Sequence, residues 1–225
     1  MSATEGNMDD FAIAGSAMSA ECDIWFALPP GFVEVPLVPD SEAPAEGLEL
    51  LSTVVPEEQY RAFRESIGEA RAMGGLLAHS GAAHLSIGVH HDEADGVAHS
   101  VFLIKWEELP WTPPKLSAAK ASLASAGARS ADLVDLPCGP AAVVEMVGQR
   151  EGREVFQMTA CLPHPDGCRV AVLALSTTSK SDHEHYRDVF HGIIRMVSFD
   201  NPLPPHMRER MPETREVAAA RDTFG

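Results

Sequence analysis

Basic residues are scarce in this chain. Of its 225 residues, 17 are Lys or Arg against 33 Asp or Glu, a formal charge of −16. Such a surface repels phosphate backbones, which argues against nucleic acid as a partner, and it disfavours anionic lipid for the same reason. Cysteine is scarce as well. Four of them (Cys22, Cys138, Cys161 and Cys168) do not make a disulfide scaffold at this length. No stretch approaches the ~20 apolar residues of a membrane span. The first twenty residues hold Glu5, Asp9 and Asp10 but neither Lys nor Arg, so they do not read as a secretory signal. A cytoplasmic location is expected. Also missing are a Gly-x-Ser-x-Gly elbow, a P-loop and a dinucleotide-type glycine pattern. No catalytic residue and no cofactor follows from motifs.

What is present is enough apolar material for one core. Hydrophobic residues make up 45% of the chain, which at this length supports a single globular unit. Residues 1–20 are small and polar and are expected to form a mobile tail. Residues 21–202 carry the core signal, and 203–225 are rich in charge and read as a second tail.

The clearest stretch runs from Glu154 to Val197. Phe156, Met158, Ala160 and Leu162 alternate with polar or small residues, the period of a half-buried strand. Pro163–Gly167 supplies turn residues. The return from Arg169 to Leu175 is apolar at both parities, so both its faces are expected to be covered. A helix follows from Ser181, which with Glu184 makes a capping box. Its Tyr186, Val189, Ile193 and Met196 fall on one face.

Upstream, Ile24, Phe26 and Leu28, then Phe32, Val33 and Val35, read as two short strands around Pro29-Pro30-Gly31. A helix is expected from Pro56 through Met73, ended by Gly81. Leu85 to Val89 and Val97 to Trp106 read as a hairpin. Lys115 to Ala126 is an Ala-rich helix with Leu116, Ala119 and Leu123 on its apolar side. Arg129–Leu136 and Ala141–Gln149 are two more strands. This order predicts an α+β domain whose mainly antiparallel sheet carries helices on its faces.

Two segments together are similar to a known family. Trp25–Leu37, with Pro29-Pro30-Gly31-Phe32 between two strands, resembles the opening of the PsbP-like fold family. Val170–Thr178 followed by the helix Ser181–Val197 and Ser198-Phe199 resembles its last strand and last helix. Small actinobacterial proteins look similar over Cys22–Pro202. The resemblance implies an α/β/α sandwich around a curved antiparallel sheet. It also implies a non-catalytic binding or assembly factor, and so carries over no catalytic residue.

Three groups of residues stand out as candidate sites. In the first, pairing Leu162 with Gly167 would set Cys161 against Cys168 across a hairpin. Those two thiols with His164 would offer three metal ligands; two small apolar residues on neighbouring strands is the plainer reading. In the second, His84 and His90 share a strand parity, and a turn over 93–96 would place His99 opposite His90, with Asp92 the nearest carboxylate. A solvated sheet face explains these histidines equally well. In the third, Phe102, Trp106 and Trp111 near a Pro-rich connector form a candidate protein-contact patch. The function expected is that of a non-enzymatic adaptor binding another protein, or a second copy of itself, through a sheet face or edge. The alternative is a small-molecule or metal-dependent enzyme using the His84/His90/His99 face.

Overall fold

The computed structural model describes residues 11–15, 17, 23–37, 61, 68, 74–92, 96–125, 127–150, 152–179 and 183–200, without the side chains of 90–92, 96, 97 and 150. Their strands are β1 (Ala12–Ile13), β2 (Ala27–Leu28), β3 (Phe32–Glu34), β4 (Ala82–Asp92), β5 (Gly96–Glu108), β6 (Ser130–Leu136), β7 (Gly139–Arg150), β8 (Arg153–Pro163) and β9 (Arg169–Thr177). The helices α1 (Pro114–Ala124) and α2 (His183–Arg195) accompany them, and residues 74–79 are also helical.

β3 to β9 form one sheet in the order β3-β4-β5-β9-β8-β7-β6, and every neighbouring pair is antiparallel. Two meanders, β3-β4-β5 and β6-β7-β8-β9, are therefore joined side by side where β5 meets β9. This is an α+β fold, as expected.

Alternation along the strands divides the side chains between two faces. On one face Phe102, Ile104, Leu173, Leu175, Met158, Ala160 and Val143 form the main core. It is closed by Tyr186, Phe190, Ile193 and Ile194 of α2 and by Ile24, Phe26 and Leu28. Glu184 in the first turn of α2 and Arg195 in its last suit the helix dipole. Among the described residues the other face is covered in two places. Leu77, from the helical residues 74–79, packs with Val33, Val35, Leu85 and Ile87. α1 lies over β6, β7 and β8, where Ala118, Ala142 and Val144 are buried.

Gly81, between the helical residues and β4, has φ near 90°. A Cβ there would sit 2.6 Å from the Trp106 carbonyl oxygen, so only glycine fits.

Several expectations need correction. α1 was expected to bury Leu116, Ala119 and Leu123. Instead it buries Ser117 and Ala118 and leaves Leu116 49% and Leu123 86% exposed. Small side chains let the helix sit close to the sheet, and the leucines face away. β9 was expected to be covered on both sides, yet Val172, Ala174 and Ser176 are only half-buried, because they lie between the two covered regions. Within the stretch 1–20, expected as a tail, Ala12–Ile13 pairs with Ala27–Leu28, and Ala14 and Ala17 are buried. The helix expected over Pro56–Met73, the cap at Ser181 and the tail 203–225 lie outside the described residues, apart from 61 and 68.

Candidate functional site

The histidine face does not assemble. β4 and β5 pair Asp92 with Gly96, His90 with Ala98 and Val89 with His99. The turn between them is one residue shorter than expected, and such a slip reverses the face of every side chain on one strand. His99 therefore lies on the face of Val89, opposite His84. His84 is sealed in the core, its ring 4.8 Å from Phe26 and 5.8 Å from Phe102. Burial pushes its pKa down to about 3. Its Nδ1 is 3.9 Å from Glu34 Oε1, and Ser86 is buried beside it on the same strand face. Burial also lowers the pKa of His99.

The cysteine hairpin is also in another register. Cys161 pairs with Val172 and Pro163 with Val170, so Cys168 falls in the loop, outside the ladder. Cys138, Cys161 and Cys168 are free thiols. Burial and the nearby Glu107 carboxylate raise the Cys161 pKa, so it is less nucleophilic than an ordinary thiol. Among the described residues no group of three or more His, Cys, Asp or Glu is gathered in a way that could hold a metal ion.

The loop between β8 and β9 is longer than expected because Asp166 organises it. Its Oδ1 accepts from the backbone N–H groups of Cys168 at 2.7 Å and Arg169 at 3.3 Å. Its Oδ2 lies 2.9 Å from His164 Nδ1 and accepts from Arg169 Nε at 3.1 Å. Arg169 also donates to Asp23 at 2.6 Å and lies over the Trp106 ring, 4.9 Å from its centroid. His164 and Trp106 both touch Phe199 edgewise or at a tilt. Gly167, with φ near 73°, passes so close to Trp111 Nε1 and the Thr112 carbonyl that a Cβ would meet both at about 3.0 Å or less. The loop thus joins the segments carrying Asp23, Trp106, Trp111 and Phe199. Its polar groups are engaged with one another, which is structural chemistry.

A second ionic centre was not anticipated from the sequence. Glu145 of β7 is buried on the α2 side of the sheet. It accepts from Arg187 Nε at 2.9 Å and Nη2 at 3.2 Å, and Arg129 Nη1 lies 3.2 Å away. The hydrogen bond from Arg187 holds its carboxyl below the ordinary 4.5, against the opposing effect of burial. His183 stacks on Phe156 at 4.4 Å beside it. The signal was legible: a carboxylate in the middle of the apolar run Ala141-Ala142-Val143-Val144-Glu145-Met146-Val147.

Of the aromatic candidates, Phe102 is fully buried, because its parity on β5 places it on the core face, against Phe26 and Phe32. Trp106 is half-buried against the core. Only Trp111 stands out, 70% exposed, just before α1. The exposed large apolar side chains that follow it in sequence are first Leu116 and Leu123 of α1 and then Leu133 of β6, the last 58% exposed. An open cleft of about 390 Å³ lies elsewhere, lined by residues 12–15, 28–30 and 32–34; among the described residues Glu34 is its one ionisable lining residue. In the comparisons with known proteins, no family model and no curated sequence matches the chain.

Proposed function

We propose that the protein is a non-enzymatic adaptor that binds another protein through the side built by α1 and β6. The observation that carries this reading is the inverted packing of α1. Leu116 and Leu123, seven residues apart and so on one helical stripe, stand in solvent while Ser117 and Ala118 face the sheet. Leu133 on the neighbouring edge strand and Trp111 at the helix entrance add exposed apolar surface. Large side chains left outside a core that has room for small ones mark a contact surface.

The PsbP-like resemblance supports the same reading, since that family's members are mostly binding and assembly factors. A PsbP-like α/β/α sandwich, the curvature of its sheet and a cytoplasmic location belong to this proposal. The histidine face named for the enzyme alternative is divided, because the sheet register puts His84 and His99 on opposite faces.

A photo-crosslinking residue at position 123, used in the native cell, tests the reading. One discrete cross-linked protein is expected. The same probe at Glu184, an exposed residue of α2, should give none. Leu116→Ser in the probe-bearing chain should abolish the product without changing its melting temperature. Equal labelling at 123 and 184, or none at either, overturns the proposal.

A further inference from the structure

The two edges of the large sheet differ in how they are protected. One edge, β3, is three residues long and lies between Pro30 and Pro36, the usual means of blunting an edge. The other, β6, runs for seven residues, Ser130–Leu136, without proline, lysine or a register shift. Its outward groups can be identified. Pro140 of β7 pairs with Asp135, and proline has no N–H, so that pair is not hydrogen-bonded. By alternation, Ala131, Leu133 and Asp135 aim their N–H and C=O groups away from β7. Among the described residues the one hydrogen bond to these outward groups is that from the Ser122 hydroxyl to the Ala131 carbonyl, a long 3.4 Å.

The side chains along this edge set the chemistry of what can lie beside it. Asp132 and Asp135 are both exposed, one on each face, with Val134 half-buried and Leu133 exposed between them. A second copy of β6 would bring four carboxylates together in a chain already at −16, which is unfavourable. A strand carrying cations in those places would instead be drawn in.

The geometry points to β6 as a docking edge for an extended basic segment of a partner protein, added antiparallel to the sheet. Its sequence pattern would be basic–apolar–apolar–basic. In that register the first basic residue faces Asp135, the apolar pair faces Val134 and Leu133, and the second basic residue faces Asp132. Backbone hydrogen bonds to Ala131, Leu133 and Asp135 would supply affinity and the charges would supply selection. This rests on the adaptor reading above and names the mode of contact.

The test uses the full chain and the capped peptide Thr-Thr-Arg-Val-Val-Arg-Thr-Thr, with amide hydrogen exchange followed by NMR. The peptide should slow exchange at Ala131, Leu133 and Asp135 and leave Asp132 and Val134 unchanged. Replacing both arginines by glutamate should weaken binding by about tenfold or more. Asp132→Lys with Asp135→Lys should reverse that preference. Leu133→Pro removes an outward N–H that the fold does not use; it should abolish binding and keep the remaining amide spectrum. No slowing with the arginine peptide overturns the inference. So does slowing at the same three amides without peptide in a chain that sediments as a dimer, since a second copy then holds the edge. If the cross-link at position 123 persists while the peptide fails, the edge inference falls and the adaptor reading stands. Failure of both removes the reading itself.

Discussion

Glu145 holds α2 to the sheet through a charge that the core would otherwise reject. Arg187 meets it with two nitrogens, and Arg129 reaches it from the surface. Glu145→Gln keeps the shape and removes the charge. Breaking a fully buried pair costs ~3–5 kcal/mol; Arg187 retains access to water, its side chain 31% exposed, so the cost should be nearer about 2 kcal/mol. The acid dependence has a definite sign. A carboxyl whose folded pKa lies below its unfolded 4.5 stabilises fully above 4.5, and that contribution is lost as pH falls through the folded value. Urea midpoints should therefore drop on acidification below 4.5, and drop less in Glu145→Gln. His84 acts in a higher window. The unfolded chain takes up a proton below about 6.5, whereas the folded imidazole refuses one until about 3. Stability should fall from 6.5 downward, and His84→Leu, lodged between Phe26 and Phe102, should flatten that part of the curve. An unchanged slope would mean that His84 is open to solvent. In the sequence His84 looked like one of a set of sheet-face ligands. Burial cannot be read from a histidine that alternates with Leu85 and Ser86 as a surface residue would.

Elements were legible where the pattern was strong. β8 and α2 follow their expected periods, because each buries one well-defined face under bulky residues, whereas β9, apolar at both parities, buries one face and leaves the other half-covered. α1 shows the limit. Alanine and serine occur on every side of it, so the two leucines set the apparent apolar face, and the structure turns them outward. Close approach to β7 requires small residues, and Ser117 and Ala118 supply them. This assignment of the helix phase predicts an inverted mutational response. Leu116→Ser and Leu123→Ser should each stay within about 0.5 kcal/mol of the parent. Ala118→Leu should cost about 1–3 kcal/mol through overpacking. The opposite ranking in thermal melts would restore the leucines to the core and remove the contact surface. Turn lengths were the other weak point. One residue fewer between β4 and β5 moved His99 to the far face, and the Asp166 loop moved Cys168 out of the ladder. In the β8–β9 loop the hydrogen bonds of Asp166 hold the register, and the strands' own pattern tolerates either choice.

At the scale of the molecule, the fold class was legible and the assembly of the sheet was not. Hairpin partners are neighbours in sequence, but the seam between β5 and β9 joins residues such as Phe102 and Leu175, and nothing local encodes it. The N-terminal segment is the same kind of long-range feature. Apart from Phe11 and Ile13, residues 11–17 are small, with no period to follow, and read as a tail. Their role comes from what they cover. Ala14 and Ala17 close over Ile24, Phe26 and Leu28, and Ala12–Ile13 pairs with Ala27–Leu28. The Phe11 ring comes so close to α2 that a Cβ on Gly192 would lie 3.0 Å from it. A chain begun at residue 21 uncovers this seam, whereas one begun at residue 11 keeps it. Re-exposing the apolar side chains beneath it should cost on the order of 2 kcal/mol. At this chain length that is a fall of about 4–8 °C in melting temperature. The shorter chain should still show a cooperative transition, because the β5–β9 seam and α2 remain intact. Equal melting temperatures for the two chains would mean that residues 11–17 do not hold to the core in solution. In that case the cleft they form with residues 28–34 would not be a persistent feature of the surface either.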